Sequence, residues 1–406
     1  MPREARMTDW IAEEHRYLFQ NYGRQPVVIE RGQGTRAWDI DGNEYLDFVG
    51  GVAVNVLGHS HPAVVAAIAD QAARVIHTSN LFYTTPMIQL ARLLVERSGL
   101  DRAFFCNSGT EAVEAAIKLA RRWGHDTRGG AFEIITTTDS FHGRTMGSLS
   151  ATGNARYREP FEPLVPGFRI VPWNDLDAVR QATTDRTVAV MVEPVQGEGG
   201  VNMPAPGYLA GLRAWCDKRG LLLIFDEVQT GIGRTGTFFA FEHDGVRPDI
   251  MALAKGLAGG VPIGAILARD DVAAHFVKGD HGSTFGGNPL AAAAALATVR
   301  EVLSPGFLER ARKASARLVE RLRSLEDRYG LVTEVRGRGM LLAIGLARDC
   351  SAELVDEARR RGLLVNNVRP NAIRLMPPLT VSDDEIDRAC NILEASIRAL
   401  EGAGSK

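Results

Sequence analysis

The sequence predicts an α/β protein with two domains, the larger having a mostly parallel central sheet flanked by helices and the smaller being α+β. Two observations carry this prediction. The 406 residues exceed what one hydrophobic core usually serves. Along most of the chain, short runs that are apolar on both faces alternate with helical patterns, which is typical of a sheet covered on both sides.

Five apolar runs, each ending in a polar or small residue, are the expected strands of the buried parallel sheet. In chain order they are RAFFCNSG, FEIITTTDS, VAVMVEP, LLLIFDE and IGAILARD.

Two helices are expected from periodicity and composition. Between the first two runs, TEAVEAAIKLARRW has one apolar stripe, an acidic first turn and basic residues toward its end. The second helix follows Gly287, in the alanine-rich NPLAAAAALATVREVL. The remaining third mixes basic amphipathic helices with short strands such as LLAIGLA and AIRLMPPL, and we expect it to form the smaller domain.

Composition narrows the possible partners. The chain has 47 basic and 49 acidic residues, so no excess of positive charge favours nucleic acid or an anionic membrane. No stretch reaches the roughly 18 apolar residues of a membrane span, and the N-terminus has no continuous apolar segment. The four cysteines include no C-x-x-C pair, which favours a reducing compartment. We expect a cytoplasmic, unprocessed protein that binds small molecules.

A glycine motif raises the possibility of a nicotinamide dehydrogenase. Gly231, Gly233 and Gly236 have the G-x-G-x-x-G spacing of a dinucleotide-binding turn and follow an apolar run. Such a turn must open a helix whose N-terminus faces the pyrophosphate, but the following TFFAFEHDGVRPDI has no helical stripe. We therefore interpret this segment as a glycine-rich surface loop.

Two charged residues stand in apolar surroundings. Asp226 is the first polar residue after LLLIF, where ligands of open α/β sheets bind, although an Asp there commonly caps a turn. Lys255 is the single charge between Ile250 and Leu267, and such a lysine either reaches the surface or has a lowered pKa suited to covalent catalysis.

A third feature is the start of the first predicted helix. Ser108, Gly109 and Thr110 could simply cap it, but a helix N-terminus also binds phosphate. Phosphate site, buried carboxylate and isolated lysine together match the three groups of pyridoxal phosphate: its phosphate, its pyridine nitrogen and its aldehyde.

Ordered motifs along nearly the whole chain resemble the class III pyridoxal-phosphate aminotransferases of fold type I, within them the acetylornithine/ornithine branch. These motifs are RGQGTRAWDIDGNEYLDF, GHSHPAVVAAI, HTSNLFYT, NSGTEAVEAAIKLAR, SFHGRT, EPVQGEGGV, FDEVQTGIGRTG, AKGLAGGVPIGA, GSTFGGNPLAAAAA and IRLMPPLTVSDDEI. The resemblance implies a large cofactor-binding domain at 61–292 and a small domain made of 1–60 and 293–406.

The resemblance also implies roles around pyridoxal 5'-phosphate. Lys255 would bond to the aldehyde carbon and then shuttle the substrate's proton, while Asp226 would keep the pyridine nitrogen protonated. Phe141 would stack on the ring and Gln229 would bind its phenolic oxygen. Thr284 would reach the phosphate of a neighbouring subunit, which implies a homodimer with shared active sites. The other expected cofactor contacts are Ser108, Gly109, Thr110, His142, Glu227 and Val228.

Two arginines match the family's substrate positions, Arg144 and Arg374, and a bidentate arginine is a natural clamp for a carboxylate. Glutamate would use both arginines and the amine donor one of them. Glu198 is the candidate that neutralises the unused arginine, and Glu193 would lie nearer the cofactor. For each arginine, a surface ion pair is the ordinary alternative.

Further residues expected near the substrate are Ser283, Tyr22 and Val52. Enzymes of free ornithine resemble one another in having a tyrosine at the position of Val52, so the valine favours an Nα-acylated donor. His59 and His61 form an H-x-H without a third ligand nearby, so no metal is expected.

The expected reaction is transfer of the δ-amino group of N2-acetylornithine to 2-oxoglutarate, with succinylornithine or succinyl-diaminopimelate as possible further donors. This reaction would serve arginine biosynthesis. The close alternative is a broader ω-aminotransferase acting on ornithine, γ-aminobutyrate or a diamine. An aminomutase or racemase of the same fold would keep Lys255 but need no keto acid. A non-catalytic binding protein is disfavoured, because Lys255, Asp226 and the phosphate-binding residues occur together.

Overall fold

The computed structural model describes residues 9–403 of the chain. Residues 1–8, which begin the segment examined for a targeting signal, and residues 404–406, the end of the expected small domain, lie outside the described part.

In chain order the α-helices are α1 Trp10–Tyr17, α2 Gly50–Ala53, α3 Pro62–Arg74, α4 Thr85–Ser98, α5 Gly109–Thr127, α6 Met146–Ala151, α7 Ala155–Arg158, α8 Leu176–Ala182, α9 Tyr208–Arg219, α10 Asp270–Ala273, α11 Pro289–Val302, α12 Phe307–Glu326, α13 Ser351–Arg360 and α14 Asp383–Ala403. Short 3-10 helices lie at Glu159–Phe161, Ala240–His243 and Lys255–Ala258.

The strands are β1 Ile29–Gln33, β2 Arg36–Asp39, β3 Glu44–Asp47, β4 Arg102–Cys106, β5 Glu133–Thr137, β6 Phe168–Val171, β7 Thr187–Val192, β8 Leu222–Asp226, β9 Ile250–Leu253, β10 Gly264–Ala268, β11 Val332–Arg338, β12 Leu341–Leu346, β13 Leu363–Leu364, β14 Asn366–Arg369 and β15 Ala372–Leu375.

The central sheet has seven strands in the order β4-β10-β9-β8-β7-β5-β6. Neighbours from β9 to β6 run parallel, which confirms the α/β class with a mostly parallel sheet. The expectation that IGAILARD is a parallel strand is wrong, because β10 pairs antiparallel with both β9 and β4. A fully apolar run indicates burial on both faces but carries no information about strand direction. The sequence reading also missed β6 and β9.

Both helices predicted from the sequence form, each with a polar N-cap. In α5 the Ser108 hydroxyl accepts from the backbone of Glu111 at 3.3 Å, and in α11 the Asn288 side chain accepts from Ala291 at 2.9 Å. The apolar stripe of α5 is buried against the central sheet. This packing fixes the N-terminus of α5 beside the ends of the strands.

Two smaller sheets complete the fold. One has the order β1-β2-β3-β13, in which β13 pairs parallel with β3. Strands from the beginning and the end of the chain therefore share one sheet. The other, which we call the C-terminal sheet, has the order β11-β12-β15-β14 and is antiparallel throughout.

The glycine-rich segment 231–236 is buried, so its interpretation as a surface loop is wrong. The fully buried Arg234 donates to the carbonyls of Met340 at 3.1 Å and Pro377 at 2.6 Å. A Cβ on Gly233 would lie 2.8 Å from Leu379, so glycine permits close packing here. The segment joins the central sheet to the C-terminal part, and the helix that a dinucleotide would need is absent from the described residues after it.

Among the described helices, none is by itself long and apolar enough to cross a membrane; α11 and α12 satisfy length and composition only as a pair bent by 70°.

Candidate active site

A cavity of about 420 Å³ lies at the carboxyl ends of the parallel strands. Its wall contains these residues that the sequence assigned to a site: Ser108, Gly109, Thr110, Phe141, His142, Arg144, Glu193, Glu198, Asp226, Val228, Gln229 and Lys255. Ligands of open α/β sheets bind at this edge.

Three neighbouring parallel strands each deliver one ionisable side chain to the cavity. Glu193 directly follows β7, Asp226 ends β8, and Lys255 comes two residues after β9. Because these strands are adjacent and parallel, their carboxyl ends meet at one edge of the sheet. The sheet thus brings together residues that are far apart in the sequence.

Asp226 is paired with a buried histidine. The Asp226 Oδ2 atom lies 2.8 Å from His142 Nδ1, and its Oδ1 atom accepts from the Val228 backbone at 3.1 Å. Burial of His142 opposes its charged form, but the hydrogen bond to Asp226 and the charges of Asp226 and Glu193 together outweigh burial and raise the pKa of the imidazole. The two hydrogen bonds fix the orientation of the Asp226 carboxylate, which suits the recognition of a protonated ring nitrogen.

Glu193 is buried beside this pair. Its carboxylate accepts from the backbone N–H groups of Phe141 at 3.1 Å and Gly197 at 3.2 Å. Burial raises the pKa of Glu193 to about 7, opposed by the charge of His142 and reinforced by that of Asp226. The Glu193 carboxylate thus joins the loop after β5 to the loop after β7. Asp226, His142 and Glu193 are called the Asp226 cluster below.

Lys255 has an unusual backbone. Its φ of 38° lies in the left-handed region, which a non-glycine side chain rarely adopts and which is common at functional sites. Burial lowers the pKa of its ammonium group, although Glu198, 4.0 Å from Nζ, opposes this effect. A lysine with a lowered pKa more readily becomes the neutral amine that attacks a carbonyl.

Arg374, on β15, is buried and neutralised by Glu198. Its NH1 atom lies 2.7 Å from Glu198 Oε1 and 3.2 Å from Gln229 Oε1. Gln229 also donates to Glu198 at 3.0 Å. Burial opposes ionisation of Glu198, but the charges of Arg374 and Lys255, with the hydrogen bonds from Arg374 and Gln229, together outweigh burial and lower the pKa of Glu198 to about 2. These three residues, Arg374, Glu198 and Gln229, are called the Arg374 cluster.

Arg144 differs from Arg374 in exposure and partners. It lines the cavity, is exposed, and within the described residues forms no ion pair. Its guanidinium lies 3.9 Å from the centroid of the Tyr157 ring and 5.4 Å from that of Phe141. Stacking on an aromatic ring holds an arginine while its hydrogen-bond donors stay available. The cavity wall therefore contains one accessible arginine, Arg144, whereas Arg374 lies outside the wall, paired with the wall residues Glu198 and Gln229.

The start of α5 offers backbone donors for a phosphate. The first N–H groups of a helix have no partner inside it, so those of Gly109 and Thr110 can bind an anion. The Thr110 hydroxyl already accepts from the backbone of Arg144 and of Thr145, both at 3.1 Å, and lies 2.7 Å from the Ser148 hydroxyl. The backbone is therefore the better candidate than this hydroxyl.

The donor set as a whole fits pyridoxal phosphate. The helix start suits the phosphate, Asp226 the ring nitrogen and Lys255 the aldehyde, and all three border one cavity with the flat ring of Phe141. Gly109 packs closely against the wall residue Val228, because a Cβ on Gly109 would lie 2.7 Å from the Val228 side chain. A site for a metal ion is absent as well: within residues 9–403, groups of three ligating side chains are not found.

Some expected site residues do not border the cavity of their own chain. The Glu227 carboxylate instead accepts from the backbone of Ala240 at 2.6 Å and Phe241 at 2.9 Å, and so holds the 3-10 helix there. Val52 and Tyr22 are exposed, at 38% and 69%.

Ser283 and Thr284 also lie outside the cavity wall. The Ser283 hydroxyl accepts from the Asn107 side chain at 3.1 Å and the Gly286 backbone at 3.0 Å, whereas Thr284 is exposed.

Sequence reasoning missed several contributors. Tyr157, under Arg144, lies in no motif that pointed to a site. Gly197 is required because a Cβ there would lie 1.7 Å from Gln229 Oε1, which its motif EPVQGEGG could have suggested. The remaining unanticipated wall residues are Val54, Asn107, Gly143, Ala254, Gly260, Val261, Pro262 and Ile263.

Comparisons with known proteins show the family of the chain. The family model "Aminotransferase class-III" matches residues 17–397. The acetylornithine aminotransferase of Caldanaerobacter subterraneus subsp. tengcongensis is 50% identical over 95% of this chain and 98% of its own length. That of Methanopyrus kandleri is 52% identical over 95% and 97%. The crystal structure of ornithine aminotransferase from Toxoplasma gondii ME49 superposes with a TM-score of 0.94 at 38% identity, covering 97% of this chain and 96% of the other.

Proposed function

The chain belongs to the class III aminotransferases, and we propose that it transfers the δ-amino group of N2-acetylornithine to 2-oxoglutarate, giving N-acetylglutamate 5-semialdehyde and glutamate. The relatives named above that are about half identical to it carry the name acetylornithine aminotransferase, which supports this donor. Membership of the family confirms the predictions of a fold type I enzyme dependent on pyridoxal phosphate, and excludes the dehydrogenase.

We assign the holding of the cofactor to residues at the ends of the central strands and at the start of α5. Bound pyridoxal phosphate supplies an aldehyde that takes up the amino group and a ring that accepts electrons from the carbon losing its proton. In this chain, Asp226 would hold the proton on the ring nitrogen, and the backbone of Gly109 and Thr110 would hold the phosphate. Lys255 Nζ would remove and return the proton at the substrate carbon.

One observation carries the two-substrate proposal: Arg374 is buried and paired with Glu198 at 2.7 Å, while Arg144, in the cavity wall, has no ion-pair partner within residues 9–403. A donor with one carboxylate would bind Arg144 and leave the Arg374 cluster intact. A keto acid with two carboxylates would also bind Arg374, whose Nε atom is buried and has no partner among the described residues. Glu198 would then have to leave Arg374. Alternation between the substrates thus needs only a local exchange of carboxylates.

The rival function is a broader ω-aminotransferase acting on ornithine, γ-aminobutyrate or a diamine. The similarity to an ornithine aminotransferase structure keeps this rival under test, but the identity is lower, at 38%. We propose that Val52, exposed and with a φ of 62°, leaves room for the acyl group where a tyrosine would approach a free α-amino group.

The test uses the visible absorption of the bound cofactor, followed in rapid mixing with a single amine and no keto acid. The band should be lost fastest with N2-acetylornithine, slowly with ornithine or γ-aminobutyrate, and return on addition of 2-oxoglutarate. Val52→Tyr should lower the ratio between the rate of band loss with N2-acetylornithine and the rate with ornithine. A band lost equally fast with the free amines would establish the broader enzyme instead.

We further propose that the active unit is a homodimer in which Thr284 binds the phosphate in the partner's site. Thr284 is exposed outside its own cavity. Beside it lies Phe285, 57% exposed, and Asn80 binds the backbone of Ser283 and so places an apolar segment, Leu81 to Tyr83, next to that loop. Apolar side chains exposed together mark interfaces.

Sedimentation tests the dimer. The wild type should have the mass of two chains, and Tyr83→Asp, at a position 94% exposed, should yield monomers with weakened cofactor affinity. Tyr17→Asp is the matched control, because Tyr17 is 68% exposed on α1. A fully active wild-type monomer would contradict the shared site.

The domain division and compartment are likewise proposals. Pairing of β3 with β13 supports one small domain built from 1–60 and 293–406, with 61–292 as the large one. The four cysteines are buried free thiols, as expected of the cytoplasm.

A further inference from the structure

The loop that carries Glu198 is held from two sides. On the side of the central sheet, the Gln196 amide donates to the Thr138 carbonyl at 2.7 Å and to the Thr137 hydroxyl at 3.2 Å. On the other side, arginines from the C-terminal sheet bind the Gly199 and Gly200 carbonyls. Glu198 therefore lies between two anchors, one on each sheet.

The arginine contacts converge on one short stretch of backbone. Arg369 Nε donates to the Gly199 carbonyl at 2.6 Å, and Arg336 Nε donates to the Gly200 carbonyl at 2.8 Å. Gly200 has a φ of 123°, and a Cβ there would lie 2.7 Å from Arg369 Nε. Glycine at this position is thus what permits both guanidinium groups to reach the loop. Hydrogen bonds from a charged donor are among the stronger ones.

Arg369 contacts a second loop as well. Its NH2 atom forms an ion pair with Asp139 Oδ1 at 3.0 Å, two residues before Phe141. A Cβ on Gly199 would lie 2.3 Å from the Asp139 carbonyl oxygen, so the two loops are in direct backbone contact at this point. The ion pair is partly exposed and contributes little stability by itself. Its location matters more, because it fixes the Glu198 loop against the loop that leads to Arg144.

The register of the C-terminal sheet links these arginines to Arg374. Arg336 on β11 lies opposite Ala343 on β12, and Ala343 lies opposite Arg374 on β15. Arg369 pairs with Ala372, two residues before Arg374. Directly opposed residues, and residues two apart, share a face of a sheet. All three arginines therefore lie on one face, and the small Ala343 separates Arg336 from Arg374.

We infer that Arg336 and Arg369 are positioning residues that hold the Glu198 carboxylate on Arg374, and so set the enzyme's preference between one-carboxylate and two-carboxylate substrates. This inference rests on the proposed role of Glu198. One sheet thus carries both Arg374 and the two arginines that hold the loop of its counter-ion, Glu198.

The test compares two half-reactions of the holoenzyme, N2-acetylornithine with the cofactor-loaded form and 2-oxoglutarate with the aminated form, each as a second-order rate constant from stopped-flow absorbance. In Arg369→Ala and Arg336→Ala, Glu198 occupies Arg374 less often, so the donor constant divided by the keto-acid constant should fall by about three- to tenfold. Arg338→Ala is the matched control, because Arg338 lies on β11 with Arg336 but pairs with Asp244 at 3.4 Å, away from the Glu198 loop. Its ratio should stay unchanged.

A double-mutant cycle shows whether the effect passes through Glu198. Glu198→Gln should lower the same ratio, and Arg369→Ala added to it should change the ratio by less than about twofold. Arg369→Lys, which keeps the charge but lacks the forked donors, is a second variant with less risk of unfolding and should give an intermediate ratio.

The outcomes separate the inference from the function on which it rests. If Glu198→Gln lowers the ratio but the arginine variants leave it at the wild-type value, the positioning role is refuted and the function stands. If Glu198→Gln itself leaves the ratio unchanged, the proposed role of Glu198 fails, and the inference fails with it. Equal effects of Arg369→Ala in both backgrounds would also refute it, because the arginine would then act independently of Glu198.

Discussion

The Asp226 cluster and the Arg374 cluster meet at one cavity, the second through Glu198 and Gln229, but they are built differently. The Asp226 cluster comes entirely from loops and ends of adjacent parallel strands of the central sheet. The Arg374 cluster joins that sheet to the C-terminal sheet, through side chains 145 and 176 residues apart in the chain. In the first, the fold fixes every member; in the second, the contact depends on how two sheets pack. We interpret the first as the site of constant chemistry and the second as the part that adapts to the substrate.

This difference also decides what a single sequence could reveal. Asp226 was foreseen because a polar group after a buried parallel strand lies at the ligand-binding edge, and Lys255 because it is the single charge in a long apolar stretch. Arg374 and Glu198 were foreseen only through resemblance to a family, since no local pattern shows that β15 lies against the loop after β7. Arg336 and Arg369 were missed altogether, because cross-strand register is not visible in either strand alone.

The prediction of the fold likewise succeeded where a local pattern was strong and failed where the structure depends on long-range packing. Strands and helices with strong patterns were predicted, as in β8 and α5. The predicted direction of β10 was wrong, because an apolar run shows that a strand is buried but not in which direction it runs. The segment 231–236 was taken for a surface loop because its glycines suggested exposure, whereas they allow the backbone to pack closely around Arg234.

The variant Lys255→Ala gives the strongest test of the chemistry proposed at the ends of the central strands. Turnover of N2-acetylornithine with 2-oxoglutarate should fall by at least about 10³-fold, because proton transfer by a positioned base alone contributes about 10²- to 10⁴-fold. Cofactor should still bind, since Asp226 and the start of α5 are untouched. Lys278→Ala, at an exposed lysine, is the control and should keep its activity. An active Lys255→Ala enzyme would contradict the mechanism.

A smaller loss is expected for Asp226→Asn. Asparagine keeps the shape but not the charge opposite the ring nitrogen, so kcat should fall by about 10- to 150-fold, the equivalent of a hydrogen bond to a charged group. Asp249→Asn is the matched control, because Asp249 is equally buried but pairs with Arg213 at 2.8 Å and Arg269 at 2.6 Å, away from the cavity. It should lower the melting temperature while kcat per folded enzyme is kept. Equal losses of kcat in both variants would mean that Asp226 is only structural.

The two arginines differ in the substrates that they bind: Arg144 binds both substrates, and Arg374, paired with Glu198, binds only the one with two carboxylates. The most direct measurement is the pair of half-reaction rate constants for Arg144→Ala and Arg374→Ala. Losing one partner of a buried charge pair costs about 2–5 kcal/mol, or roughly 30-fold and more. Arg374→Ala should therefore slow the 2-oxoglutarate reaction about 30-fold more than the N2-acetylornithine reaction, whereas Arg144→Ala should slow both to within about threefold of each other. Equal slowing of both half-reactions by Arg374→Ala would contradict the claim.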